Sequence, residues 1–159
     1  MIVVSDTSPI NYLILIGYGD TLPKLFGDLY IPAAVYDELT HTNAPDVVRD
    51  WAKERISWLN IQYAAPLSDP KLHLGEASAI ALAGKLGADL ILLDERYARA
   101  KAKELGLSVL GTVGLLALAH KQGNLDLAEA ISRLRATSFH ISDDLLSAVL
   151  EQSRDKSEP

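Results

Sequence analysis

Two acidic residues come directly after apolar runs, at positions where they could do chemistry together. Asp6 follows the run Ile2–Ser5, and Asp94 follows the pure apolar run Leu90–Leu93. Such runs predict short strands that are covered on both faces, as in a parallel sheet. The carboxyl ends of parallel strands meet at one edge of the sheet, where sites in open α/β folds form. We therefore expect Asp6 and Asp94 to be neighbours.

Two further acids lie on predicted helices. At about 100° per residue, Glu76 shares a helix face with Ile80 and Ala83, where an acid is unfavourable without a partner. The alternative is an ordinary acid in the first helical turn, which the helix dipole stabilises. On an earlier helix, Glu38 borders the apolar stripe while Asp37 points away. Glu38 is therefore the better candidate for an inward-facing role, with an ordinary surface glutamate as the alternative.

Four carboxylates at one edge of a sheet would repel one another and raise each other's pKa, at about 1.4 kcal/mol per pKa unit. A divalent cation would remove that cost. The chain has no cysteine, and its four histidines show no ligand spacing, so the ligands would be oxygens. Oxygen ligands favour Mg²⁺ or Mn²⁺ over Zn²⁺. Such an ion can activate water and stabilise the charge on the leaving oxygen of a phosphodiester.

Polar residues beside these acids are candidates for binding a substrate. Arg96 and Arg99 follow Asp94 on a predicted helix and could hold phosphate groups, or could simply face solvent. Thr7 and Asn11 could bond to the water shell of a metal ion or to a carboxylate.

Two hydroxyl residues have a local structural role as their favoured interpretation. Ser8 is expected to be the N-cap of the first helix, with Pro9 at the first helical position, which would leave Asp6 free for another role. Thr112 is expected to cap the helix Val113–Lys121 first and to serve a site second.

The rest of the chain supplies the elements that must position these residues. Short strands alternate with amphipathic helices, which predicts an α/β fold with a central parallel sheet and helices on both faces. The strands are expected at Ile2–Ser5, Leu29–Ile31, Trp58–Ile61, Leu90–Leu93 and Ser108–Leu110. Helices are expected over Asp46–Arg55 and Ser142–Leu150, among others. We predict a single domain over residues 1–150, followed by a polar C-terminal tail over residues 151–159.

Composition limits the class of protein. A chain of 159 residues fits one domain that buries roughly two-thirds of its unfolded surface. No apolar run reaches the ~18 residues that a membrane span needs, and the N-terminus shows no basic leader, so we expect no membrane segment and no signal peptide. The absence of cysteine suits a cytoplasmic protein. The net charge of −6 argues against a protein that coats duplex DNA, but a carboxylate metal site is itself a source of negative charge.

Several short motifs resemble those of one family. They are Ser5–Pro9 (SDTSP), Tyr36–Leu39 (YDEL), Gly75–Ile80 (GEASAI), Leu93–Glu95 (LDE) and Gly111–Gly114 (GTVG). Together they are similar to the motifs of PIN-domain proteins, most closely a prokaryotic branch with DTSP, GEA-x-AI and GT-x-G. The resemblance covers Ile2 to about Leu150. It departs after Asp94, where Glu95 and Arg96 replace the acid-plus-aromatic pattern common in the toxins of this family.

The resemblance implies a three-layer α/β/α fold and a metal-dependent endoribonuclease that acts on single-stranded RNA. It also suggests the toxin of a VapC-type toxin–antitoxin pair, usually a homodimer, whose partners would be RNA and an antitoxin protein. In that function Asp6, Glu76 and Asp94 would bind Mg²⁺ or Mn²⁺. Glu38 would orient or deprotonate the attacking water.

Two other classes of function remain open at this point. A catalytically weak or inactive protein of the same fold could bind protein or RNA through its helices, although a scaffold has no need to gather repelling acids. A different α/β enzyme fits less well. An aspartyl phosphatase would need a second aspartate two residues after Asp6, where Ser8 stands. The motifs of P-loop, dinucleotide-binding and serine-nucleophile enzymes are absent.

Overall fold

A computed structural model describes residues 1–54 and 56–157, with side chains through Glu151. Its strands are β1 Val3–Ser5, β2 Leu29–Pro32, β3 Leu59–Gln62, β4 Leu90–Leu92 and β5 Val109–Leu110. Its helices are α1 Thr7–Leu15, α2 Thr21–Phe26, α3 Ala33–Leu39, α4 Asp46–Lys53, α5 Leu74–Leu86, α6 Arg96–Glu104, α7 Thr112–Lys121, α8 Leu127–Arg135 and α9 Asp143–Ser157.

The strands form one parallel sheet in the order β3-β2-β1-β4-β5. The central strand β1 is in register with β4, so that Val4 faces Ile91 and Ser5 faces Leu92. The N–H of Asp6 continues this ladder by donating to the Leu92 carbonyl at 3.0 Å. The predicted α/β class with a central parallel sheet is confirmed, and the sheet brings the residues after β1 and β4 to the same edge.

The sheet separates two cores because successive strand residues point to opposite faces. Val3 and Leu92 belong to the larger core, which α1–α4 and α7–α9 cover. Val4, Ile91 and Leu93 belong to the smaller core, which α5 and α6 cover. Helices on both faces of the sheet give three layers, and every acid of the predicted site lies at their common edge or on a helix that reaches it.

Helix α5 packs closely against the sheet because its N-terminal half is made of small residues. Gly75, Ala77 and Ala79 are buried, and so is Glu76 between them. The helix ends at Gly87, whose φ of 61° is a left-handed conformation that glycine adopts without strain. The apolar face that holds Glu76 is thus a real packing surface.

Two helices begin earlier than the sequence indicates. Helix α1 starts at Thr7 with Asp6 at the N-cap position, so the prediction that Ser8 is the N-cap is wrong. Helix α7 starts at Thr112, which therefore lies inside the helix and does not cap it. In both cases the hydroxyl donates to the carboxylate of Asp94 from another element. A charge-assisted hydrogen bond across the sheet edge has replaced the local cap.

The C-terminal ends of two further helices differ from the predicted bounds. Helix α9 continues past Leu150 to Ser157, so residues 151–157 of the predicted tail are helical. Helix α4 ends at Lys53, and the predicted end at Arg55 lies outside the described residues, as do residues 158–159. Among the helices described, none is both long and apolar enough to cross a membrane.

Candidate active site

Asp6 is the buried centre of the acidic group. It follows β1 directly, and only 6% of its surface is exposed. The pKa of its carboxyl is raised from 3.8 to about 7, chiefly by burial. The Thr7 backbone N–H opposes this rise, and the carboxylates of Glu76, Glu38 and Asp94 add to it. The other three acids predicted from the sequence therefore lie close enough to Asp6 to repel its carboxylate.

Asp94 is held rigidly at the end of β4. Its Oδ1 accepts a hydrogen bond from the backbone N–H of Thr112 at 2.7 Å. Its Oδ2 accepts from the hydroxyls of Ser8 and Thr112, both at 2.6 Å. Gly111 leaves room for this arrangement, because a Cβ there would lie 3.1 Å from Oδ1. The carboxylate thus joins the starts of α1 and α7 to the end of β4, with its orientation fixed.

Glu76 matches both interpretations of the sequence, since it is an acid in a first helical turn and also a buried acid on an apolar helix face. It lies in the first turn of α5, where its Oε1 accepts the backbone N–H of His73 at 3.0 Å. It is also 95% buried on the apolar face, being only 5% exposed. Burial is the main reason that its pKa is raised, with repulsion from Glu95 and Glu38 adding to it. A local helix contact holds the side chain, but this contact does not remove the cost of burying the charge.

Glu38 reaches the group from α3 across the start of α5. Its side chain is exposed, and its Oε2 accepts a hydrogen bond from the hydroxyl of Thr7. The carboxylate lies directly against the backbone of Gly75, where a Cβ would be 2.5 and 2.8 Å from its two oxygens. A side chain at Gly75 would displace Glu38. The GEASAI motif contains this glycine, but the sequence alone does not indicate its steric role, because Glu38 is 37 positions away.

An open cavity of about 550 Å³ connects three of the acids. Asp6, Glu38 and Glu76 line it together with Asn11 and His73, among others. Asp94 borders the neighbouring cleft instead, and the hydroxyl of Ser8, which lines the first cavity, donates to its Oδ2. Across the described part of the chain, no three acidic or histidine side chains already converge as a set of metal ligands.

The chemistry of the donors fits a hard divalent cation. All four are carboxylates, the ligands that Mg²⁺ and Mn²⁺ prefer. Asp6 is buried, as Glu76 is, and its pKa is raised by burial and by the neighbouring carboxylates. A nearby cation would oppose that rise. The assignment of Asp6, Glu76 and Asp94 as the residues that would hold the ion stays a prediction, and Glu38 lines the same cavity as Asp6 and Glu76.

The cleft beyond Asp94 carries the two candidate arginines. Arg96 is the exposed first residue of α6, and Arg99 donates from its guanidinium to the Leu93 carbonyl at 3.1 Å. Both line a cleft of about 390 Å³ beside Asp94. Neighbouring Glu95 has a structural role, because its carboxylate accepts the N–H groups of Tyr97 and Ala98 at the start of α6.

The remaining candidates fall around the same edge. Thr7 contacts Glu38, Thr112 contacts Asp94, and Asn11 lines the acidic cavity. Ser8 has a larger role than its local sequence indicates. A serine before a proline is a common helix start, whereas the hydrogen-bond partner of Ser8 is 86 positions away.

Comparison with known proteins gives a family and a fold. A family model described as a PIN domain matches residues 2–155. The chain is also similar to a solved structure, a PilT N-terminus domain protein from the hyperthermophilic archaeon Sulfolobus solfataricus P2, with a TM-score of 0.50 and 16% sequence identity over 89% of this chain and 100% of that chain. At that identity the likeness concerns the fold alone, and it confirms the predicted PIN-like architecture. No curated protein matches the chain.

Proposed function

The chain belongs to the PIN-domain family, and from this we propose that it is a metal-dependent endoribonuclease that hydrolyses single-stranded RNA. PIN domains are generally nucleases and typically use divalent metals. The observation that carries the proposal is the buried carboxyl of Asp6 with three other carboxylates around it. A purely structural protein would gain nothing from gathering carboxylates that repel one another, whereas a cation-dependent nuclease needs these carboxylates as metal ligands.

In this proposal Asp6, Glu76 and Asp94 hold Mg²⁺ or Mn²⁺. The bound ion would supply an activated water and stabilise the charge on the leaving oxygen. The hydroxyls of Ser8 and Thr112 keep Asp94 in one orientation, so it enters the reaction without having to reorganise. Ser8 and Thr112 are thus positioning residues.

Glu38 is the group that we assign to the attacking water. The Thr7 hydroxyl engages its Oε2 and leaves Oε1 able to accept a hydrogen bond or a proton. The side chain is exposed and lines the acidic cavity, so solvent water can reach it. Gly75 behind it provides the space that this position requires.

RNA would cross the edge of the sheet with its phosphates toward α6. Arg96 and Arg99 would hold phosphate oxygens in the cleft beside Asp94, while Thr112, Thr7 and Asn11 would bond to the substrate or to the water around the ion. Single strands fit this arrangement better than duplexes, since the acids lie in a recessed cavity.

We also propose a biological setting. The DTSP, GEA-x-AI and GT-x-G motifs support a VapC-type toxin that acts as a homodimer in the cytoplasm and is neutralised by an antitoxin protein. Co-purification with the product of a neighbouring gene would test the antitoxin, and sedimentation would test the homodimer.

The test of the proposed activity is cleavage of labelled single-stranded RNA with Mn²⁺, Mg²⁺ or EDTA. Wild-type protein should cleave only with a metal ion. Asp94→Asn should abolish cleavage without unfolding the protein, while Glu95→Gln, a change at the adjacent helix cap, should retain it. Equal cleavage by Asp94→Asn and wild type would contradict the assignment. Tight RNA binding without cleavage under any condition would favour the non-catalytic binding module.

A further inference from the structure

We propose, resting on the function above, that the cavity between α1, α3 and the loop 41–45 is a pocket for one unpaired nucleobase of the RNA. It is an open cavity of about 420 Å³ that lies beside the acidic cavity. The two cavities share Thr7, Asn11, Glu38 and Leu74 in their walls. A nucleotide whose phosphate reaches the acids can therefore place its own base in this pocket.

The walls of the pocket are largely apolar, as a base face requires. Leu39, Ala44 and Pro45 contribute to them, and Leu74 covers one side. Leu74 is 61% exposed, so its side chain is accessible to a ligand. Ligand sites combine such apolar walls with a few polar groups, and single-stranded RNA is recognised through bases that leave the stack.

The pocket wall carries two amide side chains, those of Asn11 and Asn43. Among the side chains that the structure describes, those of Asn11 and Asn43 form no hydrogen bond. Each amide offers two donors and an acceptor, which match the mixed donors and acceptors of a base edge. The backbone N–H of Asn43 donates to Nδ1 of His41 at 3.0 Å, so a neutral His41 ring carries its proton on Nε2 and adds a planar surface to the wall.

The loop 41–45 is preformed. The guanidinium of Arg49 donates to the carbonyls of Thr42 and Ala44 at 3.2 and 3.1 Å. Arg49 is itself paired with Asp46 at 2.5 Å. These contacts hold the pocket open before a ligand arrives, which reduces the ordering that binding would require.

The charge of the pocket selects a neutral ligand. Asp37 and Glu38 line it, and both would repel a phosphate group. Arg96 and Arg99, which would attract a phosphate, line the cleft on the other side of Asp94. The structure thus separates the two parts of a nucleotide, with phosphates near the arginines and acids and a base in the pocket.

The experiment is an NMR titration of the full chain with adenosine, cytidine and uridine, which carry no phosphate, and with ribose 5-phosphate, which carries no base. We expect saturable shifts at residue 11 and at residues 41–45 with at least one nucleoside, and none there with ribose 5-phosphate. Ala44→Phe, which fills the pocket, should weaken nucleoside binding about tenfold or more. Ala128→Phe, at an exposed alanine on α8, is the matched control and should bind as wild type does.

A second variant protects the test against a folding defect. Asn11→Ala removes one amide without adding bulk and should also weaken nucleoside binding. No saturable shift at the pocket with millimolar nucleosides, or equal shifts with ribose 5-phosphate, overturns the proposal. The binding titration can be interpreted separately from the cleavage assay. Nucleoside binding without RNA cleavage would reject the proposed nuclease activity and support the proposed base pocket. Cleavage without nucleoside binding would reject the pocket alone.

Discussion

Replacing Asp6 by asparagine should make the metal-free protein more stable. Asparagine has nearly the size of aspartate and keeps an acceptor oxygen for the Thr7 N–H, but it carries no charge. It removes the repulsion from Glu76, Glu38 and Asp94 and the larger penalty of burying a carboxylate. A substitution at a buried polar residue usually destabilises a protein, so a gain in stability is a distinctive outcome.

The size of the gain follows from the pKa of about 7. The unfolded chain releases the Asp6 proton at about pH 4, whereas the folded metal-free protein keeps it until about pH 7. The folded pKa is the higher one, so the contribution of this group to stability is complete below about pH 4 and is lost as the pH rises through about 7. At about 1.4 kcal/mol per unit, the ionised carboxylate costs the folded state about 4 kcal/mol above that pH.

Without metal at about pH 8, we therefore expect Asp6→Asn to be more stable than wild type by about 2–4 kcal/mol. At about pH 5.5 the advantage should shrink by about 2 kcal/mol, because wild-type Asp6 is then protonated when folded. Mn²⁺ at about a hundred times its Kd should stabilise wild type by about 2.7 kcal/mol, or about 5–10 °C in Tm for a domain of this size. The variant should gain little from Mn²⁺.

The assay is urea unfolding followed by tryptophan fluorescence, at both pH values, with EDTA or with Mn²⁺. Asp37→Asn is the control, since it removes an exposed carboxylate near Glu38 that is not among the groups acting on Asp6. It should change stability by less than about 0.5 kcal/mol. Two results would refute the reasoning. One is an Asp6→Asn protein less stable than wild type without metal at both pH values, and the other is equal stabilisation of both proteins by Mn²⁺.

Two further predictions each compare a variant with a control on the same helix, α5 in the first and α6 in the second. Gly75→Ala should displace the Glu38 carboxylate and lower the rate of RNA cleavage about 100-fold, with the Mn²⁺ stabilisation of the fold retained. Gly84→Ala is the control, because the described structure leaves open space there, and it should keep full cleavage and add about 0.5–1 kcal/mol of stability. Equal cleavage by the two variants would show that Glu38 has no part in the mechanism. Arg96→Ala should reduce the slope of log binding constant against log salt for single-stranded RNA by about 0.7, in fluorescence anisotropy without divalent ions. Lys103→Ala, exposed on the same helix, should leave that slope unchanged, and a loss common to both variants would indicate a general charge effect.

Much of the fold could be predicted because its signals are local. Apolar runs ending at Asp6 and Asp94 predicted the two strands whose ends meet, and the sheet pairs them directly. The facing of Glu76 on α5 predicted a buried acid, and this residue is almost fully buried. Helix starts were predicted less well, since Ser8 and Thr112 satisfy local capping rules yet bond to a distant carboxylate.

The sequence by itself determined the kinds of group available and the edge at which they would meet. Periodicity and apolar runs are properties of neighbouring residues, and they fix strand ends and helix faces without knowledge of the rest of the chain. Only the tertiary structure decided the partners of each carboxylate. The contact of Glu38 with Gly75 joins α3 to α5, and the hydrogen bonds of Asp94 join three elements that are far apart in the chain. Such contacts depend on the distances between packed elements. The spacing of residues along the chain does not specify those distances.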